Sequence, residues 1–282
     1  MTSLTASAPT TASAGSPRAF AAAWTAWHEE HERRRADEHG FLAITSIRWL
    51  DATPTRFDDV PGSWSTGDAG PLVELADGET LEIDGTTITG LHRFGPLAER
   101  SSLLARWPDG DRTAVVEIAR RGGNDIIRPR HGDAPILTAY RGTEAFPASE
   151  RFVVEGAYVP FETPREVTVG SVVDGLQHVY AAPGAVEFEL DGPQRLTAFD
   201  GHDGGLLLLF TDATSGVTTY AANRSVSVSA PDAEGRVEID FTRAVNLPCA
   251  YTPYATCPLP PAENRLAVAI EAGEKKPADP AT

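Results

Sequence analysis

Residues 185–192 read AVEFELDG, in which Val186, Phe188 and Leu190 alternate with glutamates before the pair Asp191-Gly192. This alternation is typical of a half-buried strand, and Asp-Gly between such segments indicates a tight hairpin turn. Further Asp-Gly pairs stand at 77–78, 84–85 and 109–110, between other short apolar runs. Many short strands at close spacing predict a mainly β fold, an antiparallel β-sandwich or barrel.

The predicted strands lie between residues 71 and 241, and one more apolar strand is expected after Asn264. Their ranges are 71–75, 80–83, 113–119, 152–158, 166–173, 178–181, 185–190, 206–210, 218–221, 225–229 and 236–241.

One N-terminal amphipathic helix is predicted over residues 17–39. Phe20, Trp24 and Trp27 recur at i, i+4 and i+7, and we expect this aromatic stripe to lie over a sheet. Gly40 fits a helix C-cap. The opposite face is charged and carries Glu29, Glu30, Glu32, Arg33, Arg34 and Arg35.

Three segments are predicted along the chain. Residues 1–17 are rich in Ala, Ser and Thr and lack the basic and apolar regions of a signal peptide, which predicts a disordered leader. Residues 18–272 are expected to form a single β-rich domain, with two lobes that meet near residues 142–150 as the alternative. The polar residues 273–282 are expected to form a solvated tail.

The composition restricts the classes of partner. The chain has 282 residues and a formal net charge of −16, which disfavours binding to nucleic acid and to anionic membranes. No apolar run is long enough to span a bilayer. Without a targeting segment we expect a cytoplasmic protein whose two cysteines are thiols. A small-molecule ligand is the expected partner, and the sequence leaves the oligomeric state open.

Several motifs of cofactor and metal chemistry do not occur in the sequence. There is no G-x-S-x-G, no Walker A motif and no G-x-G-x-x-G, so no cofactor is predicted. His28 and His31 are three residues apart, unlike the i, i+4 pair of a zinc-binding H-E-x-x-H motif. Their interpretation is a solvated helix face, and no metal site is predicted.

A basic cluster interrupts the acidic chain, where residues 119–130 read ARRGGNDIIRPR. Arg128 and Arg130 alternate on a strand-like segment, so both side chains can point the same way. Arginine binds carboxylates and phosphates bidentately, which makes these two residues candidate ligand-binding groups. The alternative is simple pairing with carboxylates of the protein surface.

Residues 247–261, here called the proline-rich loop, crowd polar side chains between five prolines. Prolines fix φ, so such a loop loses little entropy when it is ordered, as either a binding site or a structural crossover requires. Its side chains include Cys249, Tyr251, Tyr254 and Cys257, of which Cys249, Tyr254 and Cys257 are candidate site residues, and Asn246 directly precedes the loop.

Several roles are open to Cys249 and Cys257, which are eight residues apart. Buried unreactive thiols are the favoured interpretation, and a redox-labile pair is the alternative. A stable disulfide disagrees with a cytoplasmic location, a metal site needs further ligands, and a nucleophile needs a nearby base.

Arg224 and Asp240 lie on neighbouring strand-like runs, where cross-strand pairing is easy. The leading hypothesis is a small-molecule-binding β domain with a pocket between the sheet and the proline-rich loop. The predicted ligand-binding residues are Arg128, Arg130, Tyr220, Arg224, Asp240, Asn246, Cys249, Cys257 and Asn264.

Two alternative functions remain. The first is a cofactor-independent hydrolase or isomerase, with Asp240 as general base, Arg224 stabilising negative charge, and Tyr254 or Cys249 donating a proton. The second is a structural or assembly protein, which would present a large exposed apolar patch.

The stretch IDFTRAVNLPCAYTPYATCPLPPAENRLAVAIEAGE (239–274) resembles the C-terminal signature of the bacterial family catalogued as domain of unknown function 1684. The segments TSGVTTYAANR, GAVEFELDG, RRGGNDIIRPR and GFLAITSIRWL are similar to other parts of that family, so the resemblance spans roughly residues 20–275. The family usually has Asn at the position of Thr242 and commonly an aromatic residue at Val245.

The resemblance implies no established activity, substrate or cofactor, but it shows which positions share the family's motifs. They are Thr214, Gly216, Thr219, Tyr220, Arg224, Asp240, Arg243, Asn246, Cys249, Cys257, Pro258 and Asn264.

Overall fold

The computed structural model of the chain describes residues 16–278, which form three antiparallel sheets and two α-helices, α1 (Pro17–Arg35) and α2 (Pro135–Ala139). The prediction of a mainly β fold with one N-terminal helix is therefore confirmed. Nearly all of the predicted leader, residues 1–15, and the last four residues lie outside the described range. Within that range, none of the helices has the length and apolar character that crossing a bilayer requires.

Residues 16–278 form seventeen strands. They are β1 (Arg48–Trp49), β2 (Thr55–Arg56), β3 (Ser63–Ser65), β4 (Leu72–Glu74), β5 (Leu81–Ile83), β6 (Thr86–Ile88), β7 (Leu91–Arg93), β8 (Ser102–Asp109), β9 (Arg112–Arg121), β10 (Asn124–Arg130), β11 (Val153–Gly170), β12 (Gln177–Glu189), β13 (Pro193–Asp200), β14 (Leu206–Phe210), β15 (Arg224–Val228), β16 (Arg236–Asp240) and β17 (Val245–Asn246).

The N-terminal half forms a six-stranded sheet, ordered β1-β10-β9-β8-β5-β6, and a four-stranded sheet, ordered β2-β3-β4-β7. A first hydrophobic core includes Trp64, Ile118 and Ile127. Along β9 successive side chains alternate between faces, so Glu117 lies on the side opposite Ile118. At the tip of the β9–β10 hairpin, Gly122 lies against Leu176 of the C-terminal half.

The C-terminal half forms a seven-stranded sheet, ordered β16-β11-β12-β13-β14-β15-β17, which curves into a half-barrel. A second core includes Phe188, Phe210 and Phe241. The chain passes from one half to the other over residues 131–152, which include the stretch 142–150 where the sequence allows a break between two lobes. Each half therefore buries its own set of apolar side chains.

Two of the four Asp-Gly pairs have a left-handed backbone at both residues. Asp84 and Gly85 (φ 48° and 77°) connect β5 to β6, and Asp191 and Gly192 (φ 51° and 113°) connect β12 to β13. Asp84-Gly85 forms the two-residue hairpin turn that the Asp-Gly signal predicts, since Ile83 pairs with Thr86, whereas Glu189 pairs with Pro193 and the loop with Asp191-Gly192 has three residues.

Two of the predicted strands are not formed. Residues 218–221 lie at the end of a turn instead of in a strand. In this turn the carbonyl of Thr214 accepts hydrogen bonds from the backbone N–H groups of Val217, Thr218 and Thr219. After Asn264 the chain runs beside residues 211–213 without joining a sheet as a strand. Side-chain and turn hydrogen bonds therefore replace the ladder that the apolar pattern indicated.

Helix α1 ends at Arg35, four residues before the predicted end. The C-cap residue is Ala36 rather than Gly40. The reason is a turn in which the side chain of Asp37 accepts a hydrogen bond from the backbone N–H of His39 at 2.8 Å. Aspartate favours such turns over helix continuation.

The aromatic stripe of α1 packs on a turn rather than on a sheet. Trp24 donates its indole N–H to the carbonyl of Thr242 at 2.7 Å, and the guanidinium of Arg243 lies 5.4 Å from the ring of Trp27. The expected packing over a sheet is therefore wrong, and α1 instead covers the turn Phe241–Arg243 that follows β16.

We predict that Gly273→Ala destabilises the protein far more than Gly175→Ala. Both glycines have positive φ (71° and 78°), which costs a non-glycine residue about 1–2 kcal/mol. A Cβ at Gly273 would lie 2.4 Å from the carbonyl oxygen of Ala244, whereas Gly175 has no atom within 4 Å. In urea denaturation we expect at least about 2 kcal/mol of additional loss for Gly273→Ala, and equal losses would contradict the packing described here.

Candidate functional site

Arg224 is fully buried, with 1% of its surface exposed, and all of its contacts hold the fold together. Its Nη2 donates to Asp212 Oδ2 at 2.8 Å and to the carbonyl of Ile270 at 2.9 Å. Its Nη1 donates to the carbonyls of Ala272 and Glu274. Arg224 therefore joins β15 to the last segment of the chain.

The prediction that Arg224 and Asp240 converge on one site is wrong. Asp240 is on β16, which pairs with β11, whereas β15 pairs with β14 and β17. Asp240 accepts hydrogen bonds from the N–H (3.0 Å) and the hydroxyl of Thr242 and pairs with the exposed Arg243 at 3.1 Å. Its carboxylate caps a turn, and the acid–base pair expected of a hydrolase or isomerase is not assembled.

Asn264 and Asn246 act as cross-links between strands and loops. Asn264 is buried, accepts from the N–H of Thr197 at 2.7 Å and donates to the carbonyls of Thr197 and Leu209, both at 2.8 Å. Asn246 donates to the carbonyl of Lys275 at 2.7 Å. Both amides are buried, and their N–H groups donate to backbone carbonyls of the protein.

Three predicted residues do meet at the proline-rich loop. The hydroxyl of Tyr220 donates to the carbonyl of Cys249 at 2.9 Å, and the N–H of Cys249 donates to Cys257 Sγ at 3.3 Å. Tyr254 is half-buried further along the loop, where its backbone N–H donates to the hydroxyl of Thr252.

Arg128 and Arg130 do bind a carboxylate, but it belongs to Glu117, which is buried rather than on the surface. Arg128 donates to it through Nε (3.0 Å) and Nη2 (2.7 Å), Arg130 donates through Nη2, and Arg121 donates at 3.0 Å. Burial alone would raise the pKa of Glu117, but Arg128 and Arg130 outweigh it and lower the pKa to about 2. Three guanidinium groups on one carboxylate leave excess positive charge on this face of β9 and β10.

A second buried charge centre, which the sequence reasoning missed, joins α1 to the end of the described chain. Arg35 donates to Glu274 Oε1 at 2.5 Å and to Glu32 Oε1 and Thr143 Oγ1, both at 2.7 Å. Tyr251 donates to Glu274 Oε2 at 3.2 Å. The prediction of a solvated tail is therefore wrong at Glu274, which is 1% exposed because it neutralises a buried guanidinium.

Burial shifts the ionisation of this network. It raises the pKa of Tyr140 to about 12, helped by the hydrogen bond that Tyr140 donates to Glu32 at 2.5 Å, and it also raises the pKa of Tyr251 and of Glu274. Burial opposes the charge of Arg35, but Glu274, Tyr251 and Tyr140 together outweigh burial and raise the pKa of the guanidinium. Both tyrosines therefore stay protonated as hydrogen-bond donors over the physiological range.

The prediction that His28 and His31 lie on a solvated face of α1 is also wrong. His28 stacks on Trp24 with ring centroids 4.8 Å apart, and His31 stacks on Trp27 at 5.3 Å. Burial, followed by the charge of Arg35, lowers the pKa of His31 to about 4. The sequence contains a signal for this packing, because Trp24, Trp27, His28 and His31 are three or four residues apart and so lie on one side of the helix.

His28, Glu32 and Glu274 each place one possible metal-ligand atom within 4.8 Å of the others. However, the guanidinium of Arg35 donates hydrogen bonds to both carboxylates. It therefore already supplies the positive charge that a metal ion would bring, and these three residues do not fit a cation site.

A cleft of about 440 Å³ lies directly beside the Arg35–Glu274 network, between α2 and the proline-rich loop. Two residues of the network, Tyr140 and Tyr251, form part of its wall. The full lining is Pro135, Ile136, Ala139, Tyr140, Arg141, Gly142, Ala250, Tyr251, Pro277 and Ala278. The cleft thus contacts the proline-rich loop, but none of the residues predicted to bind a ligand lines it.

A larger concavity of about 590 Å³ lies on the outside of the seven-stranded sheet. Its lining includes Glu187 and Arg195, an exposed ion pair that spans β12 and β13, and Glu155, Glu189 and Arg236. This concavity is shallow and is bordered by five charged side chains, whereas small molecules usually bind in more enclosed clefts.

Comparison with known proteins supports the family resemblance over the C-terminal half. Residues 138–275 match the model of a family described as a protein of unknown function, DUF1684. A solution NMR structure of an uncharacterized protein of Haloarcula marismortui is 29% identical, with a TM-score of 0.41, over 49% of this chain and 78% of that chain. The search of curated proteins gives no match.

We predict that Asp212→Asn destabilises the protein by about 3–5 kcal/mol, because it leaves the charge of Arg224 buried without its partner. As a matched control, Arg243→Ala removes an exposed partner from Asp240 and should cost less than about 1 kcal/mol. Urea denaturation measures both losses. Similar small losses in the two variants would show that the buried pair is dispensable.

We predict that stability falls as the pH falls through the ordinary pKa of histidine, 6.5, because of His31. Between pH 6.5 and about 4, His31 takes up a proton in the unfolded chain. In the folded chain it stays neutral over this range, because burial and the neighbouring Arg35 lower its pKa to about 4. From pH 7 to pH 5 the free energy of unfolding should drop by roughly 1–2 kcal/mol more in the unmodified protein than in His31→Gln. Parallel pH profiles would contradict this assignment.

Proposed function

We propose that this protein binds a small hydrophobic carboxylate in the cleft between α2 and the proline-rich loop. The observation that carries the proposal is the cleft itself, whose volume of about 440 Å³ falls within the range of small-molecule sites. Its walls include Pro135, Ile136, Ala139, Ala250 and Pro277, which offer apolar surface to a ligand.

The part of the cleft wall formed by Tyr140 and Tyr251 is held in place by buried hydrogen bonds. The hydroxyl of Tyr140 donates to Glu32 at 2.5 Å, and that of Tyr251 donates to Glu274 at 3.2 Å. Because these hydroxyls bind inside the protein, the tyrosines contribute mainly their rings to the cleft. A preformed wall of this kind reduces the entropy that a ligand loses when it binds.

The charged group of the cleft is Arg141, an exposed residue that follows Tyr140. Its Nη1 donates to the carbonyls of Thr138 (2.8 Å) and Tyr140 (2.7 Å), which orients the guanidinium against the cleft wall. No carboxylate within residues 16–278 forms a salt bridge with it. An oriented guanidinium beside an apolar cleft favours a ligand with one carboxylate and an apolar body.

The proposal includes a cytoplasmic location, a reducing compartment that would keep Cys249 and Cys257 as thiols.

The test uses the purified full chain with 3-phenylpropanoate and octanoate as probes and with the corresponding alcohols as uncharged analogues. We expect the carboxylates to raise the melting temperature, and calorimetry to show binding at least about tenfold tighter than for the alcohols. We also expect Arg141→Gln to remove most of that preference.

Two matched tryptophan variants locate the binding. Ala139 is exposed in the cleft and Ala157 is exposed in the larger concavity of the outer sheet face. Ala139→Trp should fill the cleft and abolish the melting-temperature rise, whereas Ala157→Trp should leave it unchanged. Binding that survives Ala139→Trp, or a panel of carboxylates without any effect, would overturn the proposal.

A further inference from the structure

Cys249 and Cys257 lie side by side although they are eight residues apart in sequence. The backbone N–H of Cys249 donates to Cys257 Sγ at 3.3 Å. A contact between one sulfur and the main chain of the other cysteine brings their side chains into the range where a disulfide can form.

Separate parts of the fold hold the two cysteines in this position. The carbonyl of Cys249 accepts a hydrogen bond from Tyr220 at 2.9 Å. The carbonyl of Cys257 accepts from the hydroxyl of Ser171 and the N–H of Val172, both at 3.1 Å. Because both ends are fixed, their approach does not depend on a chance fluctuation of the loop.

The environments of the two sulfurs differ. Cys249 is half-buried, whereas Cys257 is 6% exposed. The hydrogen bond from Cys257 lowers the pKa of Cys249, and the same contact with burial raises the pKa of Cys257. Of two neighbouring thiols, the one that is partly exposed and has the lowered pKa is the more reactive, and here that thiol is Cys249.

We infer that Cys249 and Cys257 form a reversible thiol oxidation site, in which Cys249 reacts with a hydroperoxide and Cys257 resolves the product as an intramolecular disulfide. The inference is independent of ligand binding in the cleft. The two cysteines nevertheless lie next to the cleft, since Ala250 and Tyr251 follow Cys249 directly and line the cleft.

The reaction balances with hydrogen peroxide as the oxidant. The Cys249 thiolate attacks one peroxide oxygen, so that an S–O bond forms, the O–O bond breaks, and the leaving hydroxide takes up the thiol proton as water. The Cys257 sulfur then attacks the sulfenic sulfur, so that the S–S bond forms and the second oxygen leaves as water. A dithiol returns both sulfurs to thiols by exchange.

The experiment treats the folded full chain with hydrogen peroxide, blocks remaining thiols with iodoacetamide after unfolding, and maps the product by mass spectrometry. Trypsin cleaves after Arg243 and Arg265, so the peptide 244–265 contains both cysteines. We expect this peptide to escape alkylation and to lose the mass of two hydrogens, and dithiothreitol to reverse both changes.

Two single variants separate the roles of the cysteines. In Cys257→Ser, Cys249 should stop at the sulfenic acid, which dimedone traps. In Cys249→Ser, oxidation of Cys257 should be at least about tenfold slower than thiol loss in the unmodified protein. In concentrated urea both variants should react at the same rate, because the folded environment is gone.

Three results would overturn the inference. They are equal reaction rates for the two variants in the folded state, oxidation of the unmodified protein to a disulfide-linked dimer, and over-oxidation of Cys249 with Cys257 still reduced. Melting temperatures of both variants in the reduced state check that each is folded before oxidation.

Discussion

The buried ion pair between Arg35 and Glu274 is the constraint on which the arrangement of the other elements depends. An unpaired guanidinium in the interior would cost several kcal/mol, and Arg35 is paired both with Glu32 of its own helix and with Glu274 of the C-terminal segment. Glu274 also accepts hydrogen bonds from the N–H of Asn246 and from Tyr251. One carboxylate thus connects the first helix, strand β17 and the proline-rich loop.

The proline-rich loop is the element that both proposals share. Tyr251 of this loop forms part of the cleft wall. Cys249, two residues earlier, lies against Cys257 of the same loop. Prolines restrict the loop, and hydrogen bonds from Tyr220 and Ser171 fix it to neighbouring segments. The same rigidity that orders the cleft wall therefore holds the two thiols together.

Six of the twelve motif positions fall into two groups by their contacts. Arg224, Asn246 and Asn264 are buried and bonded to backbone carbonyls, so their polarity serves the fold rather than a ligand. Tyr220 and the two cysteines meet at the proline-rich loop. Polar residues in a dense signature are thus poor guides to chemistry, because a loop-rich segment must satisfy its many backbone groups with side chains.

The sequence by itself determined the mainly β architecture, the N-terminal helix and the hairpin turns at Asp-Gly, because alternation and turn preference act between residues close in the chain. It did not determine the partners of the buried charges. Arg224 binds Asp212 rather than Asp240, and Arg35 binds Glu274 across 239 residues, a separation at which no periodic pattern specifies a contact. Only the tertiary structure decided those pairs, because a buried charge must be paired with an opposite charge and the fold determines which one lies close to it.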